Sequence, residues 1–201
     1  MMDRTLPPAI ILAGGRSSRM GGGDKVLLLL NGRPLITHVL HRMRPQAGAM
    51  AISANGDTAR FDGFGLPVLP DPMPDFPGPL AGILAGMDWA AKMGANALVS
   101  VPGDTPFLPE GLVDGLRGAA GPSGLALAAD LDETRTLRLH PTVALWPVAL
   151  REDLRLALKQ EQRRVRQFAA QHDHATALFD APGAFFNINR PEDLAEAQQK
   201  D

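Results

Sequence analysis

Residues 11–25 read ILAGGRSSRMGGGDK. An apolar run stops at Gly14-Gly15, continues as a basic, hydroxyl-rich stretch, meets three more glycines at 21–23 and ends on Asp24-Lys25. A buried strand that ends in glycines offers backbone N–H groups to an anion, because no Cβ blocks the ligand and positive φ carries no steric cost. Arg16, Arg19 and Lys25 add full charges suited to phosphate oxygens. The alternative is a flexible surface loop with incidental cations. Five glycines and three cations directly after the first apolar run favour the phosphate seat.

Two common phosphate loops do not fit. A Walker loop needs Gly-Lys-Ser/Thr, but here Asp24 separates Gly23 from Lys25 and Val26 follows. The dinucleotide fingerprint G-x-G-x-x-G is matched by neither glycine cluster.

Outward from this loop, short apolar runs alternate with longer helical patterns. Strands are expected at 9–13, 49–54, 66–69, 96–101, 125–129, 142–146 and 184–188. Several are apolar on successive residues, as strands covered on both faces are. Helices are expected at 35–43, 80–93, 110–116, 149–159, 163–171 and 192–199, the last opened by Pro191 and two acidic residues. Strands separated by helices predict an α/β fold of three layers, a doubly wound and mainly parallel sheet with helices on both sides. The proline-rich stretch at 67–82 reads as a rigid binding loop.

Composition narrows the class. The 201 residues suit one domain with an ample core, and 45% hydrophobic with 21% charged residues is ordinary for a globular protein. A net charge of −2 implies no bulk attraction to nucleic acid or to an anionic membrane. Cysteine is absent, which removes disulfides, thiolate chemistry and cysteine metal sites together. No apolar run approaches the roughly 20 residues of a membrane span, and the N-terminal apolar run is too brief for a secretory signal. The expectation is a cytoplasmic protein.

The opening loop resembles, through Leu12, Ala13, Gly14, Gly15, Ser18, Arg19, Met20, Gly21 and Lys25, the glycine-rich loop of sugar-nucleotidyltransferase-type enzymes. Further stretches sharpen the likeness: Asp71 with Gly78-Pro79-Leu80-Ala81-Gly82, then Pro102-Gly103-Asp104-Thr105-Pro106, HPTVALW at 140–146, RRV at 163–165 and FNINRPEDL at 186–194. Together they look like the molybdenum cofactor guanylyltransferases, over about residues 9 to 198. The resemblance implies transfer of GMP from GTP to the phosphate of molybdenum-molybdopterin, with Mg²⁺ as cofactor.

For the site, the resemblance implies that Leu12, Ala13, Gly14 and Gly15 contact the base and phosphates of GTP. Lys25 and Arg19 would neutralise phosphate charge, and Asp104 would hold Mg²⁺ at a strand's end; alternatively Asp104 caps the turn before Pro106. Asp71 would contact guanine or ribose, or serve its turn. Gly78, Pro79 and Leu80 would let the backbone close over the base. Ser53 and Asn55 stand where the family commonly has Asn-Ala-Asn, and a serine hydroxyl cannot copy a bidentate amide. His140, Arg163, Arg164, Asn187 and Asn189 are candidate molybdopterin contacts, the two asparagines alternating along an expected strand. A division follows, with about 8–105 as a GTP-binding half and about 106–198 as a molybdopterin-binding half.

Other residues are read as surface: His38 with His41, His172 with His174, and the cations Arg151, Arg155 and Lys159 of a solvated helix. Candidate recipients of the product are molybdoenzyme apoproteins or their chaperones. Nucleic acid and membrane are not expected partners, and the oligomeric state is expected to be monomer or weak homo-oligomer. The rivals are a cytidylyltransferase or sugar-phosphate nucleotidyltransferase of the same fold, and a non-catalytic cofactor-binding protein.

Overall fold

A computed structural model describes residues 5–14, 24–73 and 78–199. The first strand, β1 (Ala9–Leu12), is central. Its consecutive isoleucines point to opposite faces, Ile11 into one apolar cluster and Ile10 into the other. Both are fully buried, each worth about 1.5–3 kcal/mol of transfer free energy. That two-faced burial is what an unbroken apolar run means in a sheet, and it forces helices onto both sides.

The remaining elements follow in chain order: hairpin strands β2 (Leu29–Leu30) and β3 (Arg33–Pro34), α1 (Leu35–Met43), β4 (Met50–Ser53), β5 (Val68–Leu69), α2 (Pro79–Lys92) and β6 (Ala97–Pro102). Then come α3 (Leu112–Ala119), β7 (Ala126–Leu131), β8 (Leu137–Pro147), α4 (Arg151–Lys159), α5 (Val165–Ala170), β9 (Ala175–Leu178) and α6 (Pro191–Ala197). Seven strands form one sheet in the order β5-β4-β1-β6-β8-β7-β9. β8 pairs antiparallel with both of its neighbours and the other pairings are parallel. The expected α/β architecture is therefore present. α1 and α3 pack their apolar stripes on one face, and α2, α4 and α5 cover the other.

The reversed strand is held to β6 by a buried polar relay. The Trp146 indole donates to Ser100 Oγ (2.8 Å), which donates to the Thr142 carbonyl (2.8 Å). Opposite β7, strand β8 bulges: Leu127 pairs with Ala144, but Ala128 pairs with His140. Pro141 sits in that bulge, as a residue with no N–H to give a ladder must.

Several expectations need correction. Residues 184–188 form no strand. Ala184, Phe185 and Ile188 are buried, but the segment turns across the sheet's rim, and the Ile188 N–H donates to the Asp104 carbonyl (3.0 Å). Its apolarity reflects packing on the core, not pairing. β9 takes the edge position instead, from a short stretch (175–178) that alternates buried and exposed residues too briefly to stand out. The β2–β3 hairpin was also unexpected, although Asn31-Gly32 (φ 49° and 77°) is a strong signal for a tight hairpin turn. His38 and His172 are half-buried: His38 Nε2 lies 3.0 Å from the Leu30 carbonyl, and His172 packs on Phe168. Arg155 is not merely solvated; it clamps Asp88 of α2 with two bonds of 2.7 and 2.9 Å, joining α4 to α2.

Candidate active site

Register aligns the carboxyl ends of four parallel strands. Leu12 lies between Ser53 of β4 and Pro102 of β6, and Ser53 lies beside Leu69 of β5. Two residues beyond each of these paired positions stand Gly14, Asn55, Asp104 and Asp71. All four line one cavity of about 300 Å³, with Ser53, Gly78 and Pro79. Sites in open α/β sheets lie at this edge because the chain has just left the ladder there and can turn polar groups outward.

The polar groups of the cavity are arranged in two sets. At the β4–β5 side, Asn55 Nδ2 donates to Asp71 Oδ2 (2.6 Å) and the Asp71 N–H donates to Asn55 Oδ1 (2.9 Å). Burial pushes the Asp71 carboxyl above its ordinary value, and the Asn55 bond only partly offsets that. Arg60 supports the pair by donating to the Asn55 carbonyl (2.8 Å), while its guanidinium pairs with Asp24. A partly desolvated carboxylate of this kind is ready for a ligand with N–H or O–H donors.

At the β6 side stands Asp104, paired with Lys25. Lys25 also donates to Asn187 Oδ1 (3.0 Å) and to Asn189 Oδ1, while Asn187 Nδ2 donates to Asp104 Oδ1 (2.8 Å). Side chains of Lys25 and Asp104 are only 13% and 15% exposed. Lys25 opens a short 3-10 turn (Lys25–Leu27) whose Val26 is buried against Gly103. A Cβ at position 103 would lie 2.9 Å from Val26 Cγ1. The glycine of Pro-Gly-Asp thus lets the lysine turn pack onto the end of β6.

The roof is α2. Gly78 precedes it with φ 143° and ψ 171°, backbone reserved for glycine, and Pro79 fills the first helical position. The helix N-terminus therefore opens at the cavity. Gly82 faces Ser53: a Cβ there would approach Ser53 Oγ to 2.4 Å and Leu12 Cδ2 to 3.0 Å. The small Ser53 side chain leaves room for this helix.

Most expected nucleotide residues thus meet: Leu12, Gly14, Ser53, Asn55, Asp71, Gly78, Pro79 and Asp104 line the cavity. Leu80, in the first turn of α2, is buried in the core, Ala13 is buried with its N–H on the Ser53 carbonyl (2.9 Å), and Lys25 reaches Asp104 from the side. Gly15 and Arg19 lie outside the described residues. Asn187 and Asn189 both reach Lys25, although the segment carrying them is not a strand. Arg163 and Arg164 line a separate concavity with Gln160, Gln167 and Gln171.

His140 lies inside β8, which begins five residues before the expected strand at 142–146. Its Nε2 donates to the buried Asp130 carboxylate (2.9 Å), which also takes two bonds from Arg138 (3.0 and 2.7 Å). Burial favours protonation of Asp130, but the bonds from Arg138 and His140 outweigh it and lower its pKa. Burial lowers that of His140 despite the opposing carboxylate, so a neutral imidazole donates to a carboxylate. Sequence reasoning missed Asp130, Arg138 and Thr142, which lines the cavity from β8. The only available signal was the alternation of Arg138 and His140, which places both on one face of a strand.

Comparison with known proteins agrees with the fold. Residues 9–176 match the MobA-like NTP transferase domain. Molybdenum cofactor guanylyltransferase from Cereibacter sphaeroides is 52% identical over 189 residues, 94% of each chain. The enzyme of that name from Bradyrhizobium sp. (strain ORS 278) is 48% identical, covering 97% of this chain and 93% of its own. Among solved structures, molybdopterin-guanine dinucleotide biosynthesis protein A from Archaeoglobus fulgidus superposes with TM-score 0.73 at 22% identity, covering 96% of this chain and 97% of its own. A cavity lined by polar groups at the sheet's switch edge, a guarded Lys–Asp pair and likeness over almost the whole length converge: the chain belongs to the MobA-like NTP transferases, among the molybdenum cofactor guanylyltransferases.

Proposed function

We propose that this chain transfers GMP from GTP to the terminal phosphate of molybdenum-molybdopterin, releasing pyrophosphate and forming the guanine dinucleotide cofactor. The observation that carries the reading is the meeting of Lys25, Asp104, Asn187 and Asn189 beside a cavity edged by Asn55 and Asp71. Asp71 and Asn55 face the donor edge of guanine or the ribose hydroxyls. Gly14 and the N-terminus of α2 offer backbone N–H groups and a favourable dipole to the phosphates.

Two anions must approach each other, which costs several kcal/mol unless their charge is neutralised. Lys25 supplies one positive charge at the α-phosphate, and the asparagines hold its ammonium in place. The acceptor phosphate is already ionised, so no general base is required. As the acceptor oxygen bonds to the α-phosphorus, the bond to the β-phosphate oxygen breaks and its electrons leave with pyrophosphate.

Asp104 offers hard oxygen donors suited to Mg²⁺. Among the described residues no group of three or more His, Cys, Asp or Glu could hold a metal. A single carboxylate with triphosphate oxygens and water fits the habit of Mg²⁺. When bound, the ion would supply Lewis-acid charge stabilisation on the phosphates. Among the described residues no helix is long and apolar enough to cross a membrane; we assign the reaction to the cytoplasm, where GTP is abundant.

The test is pyrophosphate release on mixing the protein with GTP, Mg²⁺ and molybdenum-molybdopterin, repeated with CTP. GTP is expected to be the better donor, and Lys25→Ala or Asp104→Ala to lower turnover by about 100-fold or more. Preference for CTP, or near-native turnover in either variant, overturns the proposal.

A further inference from the structure

The described residues hold a second and larger concavity at the same rim, of about 1100 Å³. Residues 184–188 separate it from the nucleotide cavity. Phe185 turns inward and stacks on His140 with ring centroids 4.4 Å apart, Phe186 lines the larger space and Asn187 the smaller. The turn after β6 divides in the same way, with Asp104 in the smaller space and Phe107 in the larger. A molecule seated in the larger space can therefore present a tail to Asp104 and Lys25.

The lining selects the chemistry of that molecule. Asp130 holds the Arg138 guanidinium flat through two bonds, yet the Arg138 side chain stays 54% exposed. Phe107 and Phe186 add aromatic walls. The remaining charges are carboxylates: Asp132, Glu133 and Glu196. Asp132 is occupied by its own turn, accepting from the Thr134 and Thr136 N–H groups, whereas Glu133 is exposed in that turn. With carboxylates outnumbering the one guanidinium, the concavity is a poor seat for a phosphate. It suits a flat ring with an edge of N–H donors, because a ring amino group and its neighbouring N–H match a carboxylate in two parallel bonds. Planar guanidinium and aromatic faces stack on such a ring.

We propose that this concavity, bounded by Arg138, Phe186, Phe107 and the Glu133 turn, holds the ring end of the acceptor, a 2-amino-4-oxo pterin. The amino edge meets Glu133, and the phosphate is directed past Phe186 to Lys25 and Asp104. This rests on the guanylyl-transfer reading and adds the acceptor's seat and orientation.

The experiment uses the intrinsic fluorescence of 6-hydroxymethylpterin phosphate, titrated into the full chain with Mg²⁺ and the non-transferable α,β-methylene analogue of GTP. The comparison ligand is the lumazine counterpart, which carries oxygen in place of the 2-amino group. We expect the lumazine to bind at least tenfold more weakly. Glu133→Lys, in an exposed turn, should weaken the pterin about tenfold and the lumazine little, and Phe186→Ala should weaken both rings. GTP-analogue affinity should stay within about twofold in each variant, which reports intact folding. Equal affinity for the two rings, no binding of the pterin phosphate, or unchanged pterin affinity in both variants overturns the seat. If Glu133→Lys also keeps a native KM for the acceptor in pyrophosphate release, the seat falls and the transfer reading stands. No pyrophosphate release by the parent chain sinks the transfer reading itself.

Discussion

Replacing Gly82 by alanine tests how tightly the roof of the nucleotide cavity is seated. The added Cβ would lie 2.4 Å from Ser53 Oγ, 3.2 Å from Ser53 Cβ and 3.0 Å from Leu12 Cδ2. The hydroxyl and the end of the Leu12 side chain can swing away, but the Ser53 Cβ contact cannot be relieved without moving α2 or β4. Overpacking of this size costs about 1–3 kcal/mol. Alanine recovers about 1 kcal/mol through its better helix propensity, so the net loss of stability should be about 1 kcal/mol. Function should suffer more, because the displaced parts are the N-terminus of α2 and the end of β4, both at the cavity. GTP affinity should fall roughly tenfold, or about 1.4 kcal/mol. Urea unfolding with an unchanged m-value gives the first quantity and calorimetric titration the second. Ser53→Gly removes two of the three close atoms, so the double variant should recover about 0.5–1.5 kcal/mol relative to additivity. A Gly82→Ala protein as stable as its parent, with native GTP affinity and additive behaviour in the double variant, would refute the reasoning.

Further outcomes concern the cavity's edges. Gly78→Ala forces a side chain onto φ 143° and should destabilise the protein by about 1–3 kcal/mol, read by thermal unfolding; no change would mean the turn is easily remodelled. Asp71 has a raised pKa because of burial, so its ionisation above the ordinary carboxylate range works against the native state. Asp71→Asn should therefore leave the ligand-free protein as stable or more stable at neutral pH while lowering GTP affinity about tenfold or more. Reduced stability with unchanged affinity would assign Asp71 to its turn instead. Burial lowers the His140 pKa below 6.5, so the unfolded chain takes up a proton first as pH falls. The stability it contributes is complete above about pH 6.5 and is lost below that as pH falls toward the folded pKa. His140→Gln, which keeps a donor for Asp130, should flatten that loss in urea midpoints taken between about pH 5 and 7.5; an unaltered slope would exclude His140 as its source.

Much of this molecule is determined by local sequence. Apolar runs at 9–12 and 97–101, the second interrupted only by Ser100, dictate strands buried on two faces, and the Gly-Pro before Leu80 dictates where α2 begins. Asp71 and Asp104 were legible through the motifs that carry the resemblance, and each proves to stand two residues beyond its strand's last paired residue, at the sheet's working edge. The 184–188 run shows the limit of such reading: burial alone cannot distinguish pairing in a ladder from folding over its end.

What only the tertiary structure decided are the meetings between distant residues. Lys25 and Asn187 are separated by 162 positions, yet their bond fixes the ammonium beside Asp104. The Asp130–Arg138–His140 cluster needs the register of β7 on β8, including a bulge whose place depends on both strands. Strand order did the rest, putting β8 rather than β7 beside β6 and so bringing Thr142 to the cavity. Periodicity and turn chemistry act over a few residues, whereas these contacts depend on how whole elements close on one another. A single chain's local pattern carries the first kind of information and not the second.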